Sequence, residues 1–271
     1  MIFLVTDLDR TLLPNGPYAD DKSIPELFKK LETVPHILCY ATGRNLPMAQ
    51  EAVRMWHIPL PDFLVAEVGT SLYRKSGNDL VTDTRWREYI LSTQKNWSGE
   101  HIRSSLGTYD ALTLQEEEKQ NEFKISYYLS DHTKKDATLE IIHHTLAQES
   151  ITAQVLWSID PLADNVGLID IIPATATKAG AVEFLRTKEG FEKEQTFYCG
   201  DSGNDILPLS RCYKSIVVKN APEEVKEEVS KRVSDAKCTD NLYIATGTPT
   251  KNGNYASGII EGLVHFGIIT L

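Results

Sequence analysis

The chain has 271 residues, 41% hydrophobic and 24% charged, with a net charge of −10 at neutral pH. This length and composition predict about two globular domains, and an acidic chain without a basic block does not suit a nucleic-acid partner. No apolar run approaches the roughly 20 residues of a membrane span. The N-terminal run Met1–Val5 is too short for a secretory signal, so we expect no membrane partner.

Five short apolar runs in the outer parts of the chain predict strands that are buried on both faces, because polar and apolar residues do not alternate in them. The runs are Ile2–Thr6, His36–Ala41, Phe63–Ala66, Thr196–Cys199 and Ser215–Val218. Helical patterns lie between them, and strands that alternate with helices predict a parallel sheet with right-handed crossovers. Ligands bind beyond the carboxyl ends of such strands, so the polar residues after each run are candidate site residues.

The middle of the chain has a different order of elements, helix, strand, helix, strand, strand. The predicted elements are a helical stretch at Trp86–Leu106, a strand at Phe123–Leu129, a helix at Ala137–Gln148 and strands at Thr152–Trp157 and Leu168–Ile172. This order predicts an α+β domain over residues 84–171. It would be inserted into a parallel-sheet domain formed by residues 1–83 and 172–271.

The four cysteines, Cys39, Cys199, Cys212 and Cys238, have neither C-x-x-C nor zinc-like spacing. Cys39 and Cys199 lie near the ends of apolar runs, which is typical of reduced, buried thiols. The sequence therefore predicts a reducing, cytoplasmic environment and no disulfide bond.

Polar residues follow the first two predicted strands. Asp7 and Asp9 come directly after the first, and two such charges are costly to hold together unless a cation binds them. One carboxylate can then act as a nucleophile and metal ligand and the other as general acid and base. Thr42-Gly43-Arg44 ends the second strand and opens a helix, an arrangement that can bind an anion. A helix-capping turn is the alternative for each cluster taken alone.

Two further clusters follow the inserted segment. Lys178 begins a predicted helix, where a cation opposes the helix dipole and needs an anionic partner, either phosphate or the nucleophilic carboxylate. A solvent-facing lysine is the alternative. The segment Gly200–Asp205 carries Asp201 and Asp205, and carboxylate oxygens suit magnesium, with a capped loop as the alternative.

The four clusters, in their order along the chain, resemble the motif set of the haloacid dehalogenase-like (HAD) hydrolase superfamily. They are Asp-x-Asp-x-Thr, Thr-Gly-Arg, Lys178 and Gly-Asp-x-x-x-Asp. The resemblance covers nearly the whole chain, and the inserted segment is similar to the cap of the Cof-like branch. It implies an α/β fold, with a Rossmann-like parallel-sheet core and an inserted α+β cap domain of the C2 type that selects the substrate.

Several segments also resemble the bacterial sucrose-phosphate phosphatases. They are Tyr40–Arg44, Val68–Tyr73, Phe123–Tyr127, Cys199–Asp205 and Asp170–Pro173. Arg10 and the stretch Leu12–Gly16 depart from that family's pattern. The departures do not change the predicted reaction, but they leave more than one sugar as a candidate.

The resemblance implies a magnesium-dependent phosphatase for a disaccharide phosphate such as sucrose 6-phosphate, acting through an aspartyl-phosphate. The implied catalytic residues are Asp7 as nucleophile, Asp9 as acid and base, and Thr42 and Lys178 as phosphoryl ligands. The implied substrate-binding residues are Gly43, Arg44, Lys124 and Asn204, and the implied magnesium ligands are Asp7, Asp9 through its backbone carbonyl, Asp201 and Asp205.

Three alternatives stay open at this point. The first is a phosphatase for another glycosyl-sugar phosphate, such as mannosylfructose phosphate. The second is a phosphomutase, although the mutases of this superfamily tend to carry a smaller cap near the first motif. The third is a non-catalytic sugar-phosphate sensor, against which the intact carboxylates and Lys178 argue. We expect a monomer or a small homo-oligomer.

Overall fold

The computed structural model describes residues 1–107, 109–160 and 165–270. Among these residues, no helix is both long enough and apolar enough to cross a lipid bilayer. The chain divides into two compact units. The first unit consists of Met1–Asp83 and of the chain from Lys178 onwards, and the second unit is Thr84–Thr177. The second unit ends at Thr177, beyond the residue 171 expected from the sequence.

The first unit begins with strands and helices that alternate. Its elements up to residue 83 are β1 (Ile2–Thr6), α1 (Ile24–Leu31), β2 (His36–Ala41), α2 (Leu46–Met55), β3 (Phe63–Ala66), β4 (Ser71–Ser76) and β5 (Asp79–Thr82). The side chain of Asn45 accepts a hydrogen bond from the Met48 amide at 3.1 Å, which caps α2. Helix α2 therefore begins directly after the Thr42-Gly43-Arg44 motif.

The second unit is an antiparallel sheet packed against helices. Its elements are α3 (Thr84–Thr93), α4 (Gly99–Leu106), β6 (Thr113–Leu114), β7 (Ile125–Leu129), α5 (Lys135–Gln148), β8 (Ala153–Asp160) and β9 (Val166–Pro173), and the strand order is β6-β7-β9-β8. The helical stretch predicted at Trp86–Leu106 is two helices. The side chain of Ser98 accepts from the His101 amide and so begins a second helix.

The chain then returns to the first unit. The remaining elements are α6 (Lys178–Lys188), β10 (Thr196–Gly200), α7 (Ile206–Leu209), β11 (Lys214–Val217), α8 (Glu223–Asp235), β12 (Leu242–Ile244) and α9 (Tyr255–His265). A single 3₁₀ turn at Gly203–Asp205 precedes α7.

The sheet of the first unit has the order β12-β11-β10-β1-β2-β3-β4-β5. It is parallel from β12 to β3, which confirms the predicted parallel sheet, and antiparallel through β4 and β5. Strand β4 was not predicted, because its residues Arg74–Ser76 are exposed and polar. The central strand β1 pairs with β10 and β2, and Thr6 at its end lies opposite Cys199 and Tyr40. The residues that follow these strands therefore share one edge of the sheet.

The structure corrects the prediction that no disulfide forms. Cys212 and Cys238 are bonded, with Cα atoms 5.7 Å apart although 26 residues separate them in sequence. Only the fold brings them together, so their spacing could not reveal the pair. Cys39 and Cys199 are free and buried, as expected, and burial raises the pKa of both thiols. The cysteines therefore do not support the reducing environment that the sequence predicted.

Candidate active site

The ends of neighbouring strands bring the predicted motifs together. The amide of Asp7 donates to the Cys199 carbonyl at 2.9 Å, which continues the β1–β10 pairing by one residue. The amide of Thr42 donates to the Val65 carbonyl at 2.8 Å and continues the β2–β3 pairing in the same way. Asp7, Thr42 and Asp201 consequently follow strands that end side by side, as the parallel sheet predicts.

Lys178, the first residue of α6, carries its ammonium group into this edge. Its Nζ donates to Oδ1 of Asp7 at 2.7 Å and to Oδ1 of Asp205 at 2.9 Å, and the residue is 2% exposed. Burial disfavours the ammonium, but the two carboxylates outweigh burial and raise the pKa of Lys178. In this structure the ammonium therefore pairs with Asp7, the predicted nucleophile, and with Asp205.

Asp205 is the residue that orders the Gly200–Asp205 loop. Beyond Lys178, its Oδ1 accepts from the Tyr198 hydroxyl at 2.6 Å, and its Oδ2 accepts from the amides of Asp201 at 3.3 Å and Ser202 at 3.1 Å. A Cβ atom at Gly200 would lie 2.6 Å from the Cβ of Asp205, so only glycine permits this approach. Tyr198 was not predicted, because a tyrosine within an apolar strand suggests a core residue.

Three buried carboxylates crowd together at this point. Asp7, Asp201 and Asp205 each offer an oxygen within 4.8 Å of the others. Burial raises the pKa of Asp7 well above its usual value, and the charges of Asp205 and Asp201 raise it further against the opposing effect of Lys178. Burial, with the charge of Asp205, raises the pKa of Asp201 to about 6. The Lys178 ammonium, together with the Arg10 guanidinium 3.5 Å from Asp201, does not balance three carboxylates. An all-oxygen donor set fits a hard divalent cation such as magnesium.

Asp9 lies in a different environment although it is only two residues from Asp7. The guanidinium of Arg44 donates to Oδ2 through Nε at 2.9 Å and to Oδ1 through Nη2 at 2.6 Å. Asn15 Nδ2 donates to Oδ1 at 2.6 Å. Burial alone would raise the pKa of Asp9, but the hydrogen bonds and charge of Arg44 and the hydrogen bond of Asn15 lower it. Asn15 was not predicted, since a loop asparagine carries no signal of its own.

The predicted anion-binding turn is supported by strained backbone. Thr42 is buried, and its Oγ1 accepts from the Arg44 amide at 3.1 Å. In the segment after β3, the Glu67 amide donates to the Arg44 carbonyl and the Val68 amide donates to the Thr42 carbonyl. Both residues have left-handed backbone, with φ angles of +50° and +58°. Left-handed backbone at residues other than glycine is strained and is concentrated at functional sites.

Two other predicted residues have separate positions. Asn204 is exposed in the 3₁₀ turn beside Asp205, and its Oδ1 accepts from the Ser202 hydroxyl at 3.2 Å. Lys124 lies in the second unit, one residue before β7, and is half-buried. On the same strand, Ser126 donates to Oδ1 of Asp170 on β9, whereas Ile125 and Tyr127 are buried in the apolar core of that unit.

The chain is similar to phosphatases over nearly its full length. A family profile described as Sucrose-6F-phosphate phosphohydrolase matches residues 1–267. A HAD-like hydrolase of Nitrosococcus oceani is 36% identical, over 98% of this chain and 71% of that protein. The mannosylfructose-phosphate phosphatase of Agrobacterium fabrum is 26% identical, over 98% of this chain and 96% of that protein.

Among solved structures, the sucrose-phosphatase from Synechocystis sp. PCC6803, in complex with sucrose and phosphate, superposes with a TM-score of 0.76. It is 26% identical, and the match covers 99% of both chains. The chain spans about 60% of the length of the plant sucrose-phosphatases that it matches.

Proposed function

The chain belongs to the sucrose-6F-phosphate phosphohydrolase family of HAD-like hydrolases, and from that premise we propose that it hydrolyses a disaccharide phosphate through an aspartyl-phosphate at Asp7. Its class is that of a phosphatase, a phosphoric monoester hydrolase acting on a sugar phosphate. Its fold is an α/β HAD fold with a parallel-sheet core. The magnesium dependence, the intermediate, the individual residue roles and the identity of the sugar belong to the proposal.

One observation carries the proposal. Oδ1 of the buried Asp7 accepts from Lys178 at 2.7 Å, beside two further buried carboxylates. The lysine fixes the orientation of the carboxylate at a strand end, and the surrounding negative charge makes a place for a cation. A carboxylate held in this way can attack phosphorus, because the acyl-phosphate that it forms is readily hydrolysed.

In the first proposed step, Asp7 attacks the phosphorus atom and the bond from phosphorus to the sugar oxygen breaks. Asp9 gives a proton to that oxygen as it leaves. In the second step, water attacks the phosphorus of the aspartyl-phosphate, Asp9 takes the proton, and Asp7 is regenerated as inorganic phosphate departs. The lowered pKa of Asp9 keeps its carboxylate ionised, which is the form that can accept a proton in the second step.

The other predicted residues bind and orient the phosphoryl group in this scheme. Thr42, the Gly43 amide and Lys178 contact its oxygens and offset its charge. Arg44 binds substrate by exchanging its contact with Asp9 for one with the phosphoryl group, and that exchange leaves Asp9 free to carry the proton for the first step. Asn204 lines the same edge of the sheet.

Magnesium would be held by the carboxylates of Asp7 and Asp201 and by the backbone carbonyl of Asp9. When bound, it would offset the phosphoryl charge. Both oxygens of Asp205 already accept hydrogen bonds, so this residue supports the site best by ordering the loop and Lys178.

For the substrate, we propose sucrose 6-phosphate first, because the family profile and the Synechocystis structure are both named for sucrose phosphate chemistry. Mannosylfructose phosphate is the second candidate, because the Agrobacterium phosphatase matches this chain over almost its whole length. We propose that Lys124, which is half-buried, contacts a sugar hydroxyl group and that the second unit is the cap that selects the substrate.

The test is phosphate release in the presence of magnesium from a panel of sugar phosphates. The panel contains both disaccharide phosphates, with hexose monophosphates and phosphoglycolate as controls. We expect kcat/KM for one disaccharide phosphate to exceed that for the controls by about 100-fold, since a site built to bind hydroxyl groups rejects substrates that lack them. Equal, low rates on all compounds would contradict the disaccharide assignment. Absence of release from every compound would contradict the phosphatase.

The cytoplasmic location and the monomeric or small homo-oligomeric state remain predictions from the sequence. Cell fractionation tests the location, and size-exclusion chromatography with light scattering tests the oligomeric state.

A further inference from the structure

Arg10 occupies a backbone conformation that its side chain does not favour. Its φ angle is +59°, in the left-handed region. The conformation is held from both sides, because the Arg10 amide donates to Oδ1 of Asn15 at 2.8 Å and the Arg10 carbonyl accepts from Nδ2 of Asn220 at 2.6 Å. Strain that the surroundings enforce in this way is typical of functional sites.

The fold also makes room for the arginine side chain. A Cβ atom at Gly16 would lie 3.2 Å from Cγ of Arg10 and 2.8 Å from the hydroxyl of Tyr255. Glycine at this position therefore lets the stem of Arg10 pass close to the returning loop. The guanidinium ends with its Nε 3.5 Å from Oδ2 of Asp201, and its side chain is 52% exposed while that of Asp201 is 2% exposed.

Arg10 differs from the other two cations of the site, Lys178 and Arg44, in the number of hydrogen-bond donors that its side chain can still offer to a ligand. Lys178 and Arg44 already donate hydrogen bonds to carboxylates. Within residues 1–107, 109–160 and 165–270, the guanidinium of Arg10 forms no hydrogen bond and makes only the longer ion pair with Asp201. It therefore presents donors to solvent at the rim of the buried acidic cluster. A guanidinium with free donors suits a phosphoryl dianion, which it can bind through two oxygens at once.

We propose that Arg10 is a phosphate-binding residue of this site, which contacts a non-bridging oxygen of the sugar phosphate and of the phosphate product. The inference rests on the proposed function and deepens it. It also implies that Arg10 opposes the binding of a metal ion at Asp201, because two cations beside one carboxylate repel each other. Loss of the guanidinium should weaken the binding of phosphate and strengthen the binding of magnesium.

The experiment compares Arg10→Gly with the matched control Lys22→Gly. Lys22 is exposed, lies outside the site and has the same φ angle of +59°, so glycine relieves the same backbone strain in both variants. Both should unfold at or above the wild-type temperature. Binding of inorganic phosphate in the presence of magnesium, and of magnesium without phosphate, is measured by calorimetry on wild type and both variants. Arg10→Asn, whose side chain tolerates left-handed backbone, serves as a second variant.

For Arg10→Gly we expect the Kd of inorganic phosphate to rise about tenfold, the usual cost of one charge-assisted hydrogen bond. The Kd of magnesium should fall severalfold. KM for the sugar phosphate should rise in step with the Kd of phosphate, with kcat within about threefold of wild type. Lys22→Gly should match wild type in every measurement.

Unchanged phosphate binding in both Arg10 variants would overturn the proposal. A raised KM with unchanged phosphate binding would also overturn it, because Arg10 would then contact the sugar. The binding measurements need no turnover. If wild type bound phosphate through Arg10 but hydrolysed no sugar phosphate, the proposed function would fail and this inference would stand.

Discussion

The candidate site has two halves that differ in burial. The buried half consists of four groups that are at most 4% exposed: Asp7, Lys178, Asp201 and Asp205. The open half consists of four groups that are half-buried or exposed: Asp9, Arg10, Asn15 and Arg44. In the buried half, burial raises the pKa values of Asp7 and Asp201. In the open half, hydrogen bonds from the Arg44 guanidinium and the Asn15 amide lower the pKa of Asp9.

The contrast is sharpest between Asp7 and Asp9, which lie two residues apart. Their pKa values are shifted in opposite directions, although burial opposes ionisation in both. The difference arises from partners, because Asp7 shares Lys178 with Asp205 whereas Asp9 has both Arg44 and Asn15. Environments that separate two carboxyl pKa values in this way are how active sites assign different tasks to chemically identical groups.

The largest effect is expected where the buried half loses its cation. Lys178→Met leaves Asp7 and Asp205 without their shared partner, which should cost about 3–5 kcal/mol of unfolding free energy. Turnover should fall at least about 1000-fold, because the phosphoryl group also loses a cationic ligand. Lys226→Met, which breaks an ion pair with the exposed Glu223, should cost at most about 1 kcal/mol. Thermal unfolding and phosphate release measure both variants, and a wild-type unfolding temperature for Lys178→Met would contradict this account.

A smaller and opposite effect on stability is expected at Asp201. Asp201→Asn removes one of three crowded charges, so the metal-free protein should keep or gain stability. The same change should abolish the rise in unfolding temperature caused by magnesium and reduce kcat/KM about 100-fold or more. Asp205→Asn is the comparison within the same loop. An asparagine amide nitrogen cannot accept, so this variant loses the hydrogen bonds either from Lys178 or from the Ser202 amide, and the metal-free protein should be less stable. If magnesium stabilised Asp201→Asn as much as wild type, Asp201 would not be a metal ligand.

Mutations in the open half should change mainly kcat and leave stability nearly unchanged. Asn15→Ala removes the hydrogen bonds that tie Asp9 Oδ1 to the Arg10 amide, so kcat should fall about tenfold. Stability should change by less than about 0.5 kcal/mol, since Asn15 is exposed. Asn96→Ala, which removes an exposed asparagine side chain that donates to the Ser150 carbonyl, is the control and should leave kcat unchanged. Equal kcat values for Asn15→Ala and wild type would show that this loop does not position Asp9.

The smallest expected effect is a dependence on pH. The folded-state pKa of Asp201 is about 6, above the usual 3.8, so the folded protein binds this proton more tightly than the unfolded chain. Without metal, this group therefore lowers stability as pH rises from about 4 to about 6. Magnesium competes with the proton, so its stabilisation should be several degrees larger near pH 7.5 than near pH 5. Scanning fluorimetry with and without magnesium tests this, and an equal gain at both pH values would contradict it.

The two halves also differ in how far the sequence predicts them. Asp7, Thr42 and Asp201 directly follow apolar runs that become neighbouring strands, so their convergence follows from the parallel sheet. The sequence predicted an anionic partner for Lys178, and in the structure its ammonium pairs with the carboxylates of Asp7 and Asp205. The open half depends on a loop whose return to Asp9 is fixed by Leu12 and Leu13, both fully buried, and whose Arg10 is held by Asn220 from a distant segment. No local pattern encodes such contacts.

The same limit explains the other errors. The Cys212–Cys238 bond joins the loop before β11 to the loop after α8, and only the packed fold brings these segments together. The short strands β4 and β5 at the sheet edge are mostly exposed, so they lack the apolar run that identified the others. Propensity and periodicity predict buried regular elements better than edges and loops.

The proposed mechanism requires that Asp7 becomes covalently phosphorylated. The most direct measurement mixes the wild-type enzyme and magnesium with a sugar phosphate that is radiolabelled at phosphorus, quenches the reaction in acid within one turnover, and maps the labelled peptides. We expect transient label on Asp7 that hydroxylamine removes, and neither label nor turnover in Asp7→Asn. Turnover without any labelled protein, label on another residue, or undiminished turnover by Asp7→Asn would contradict it.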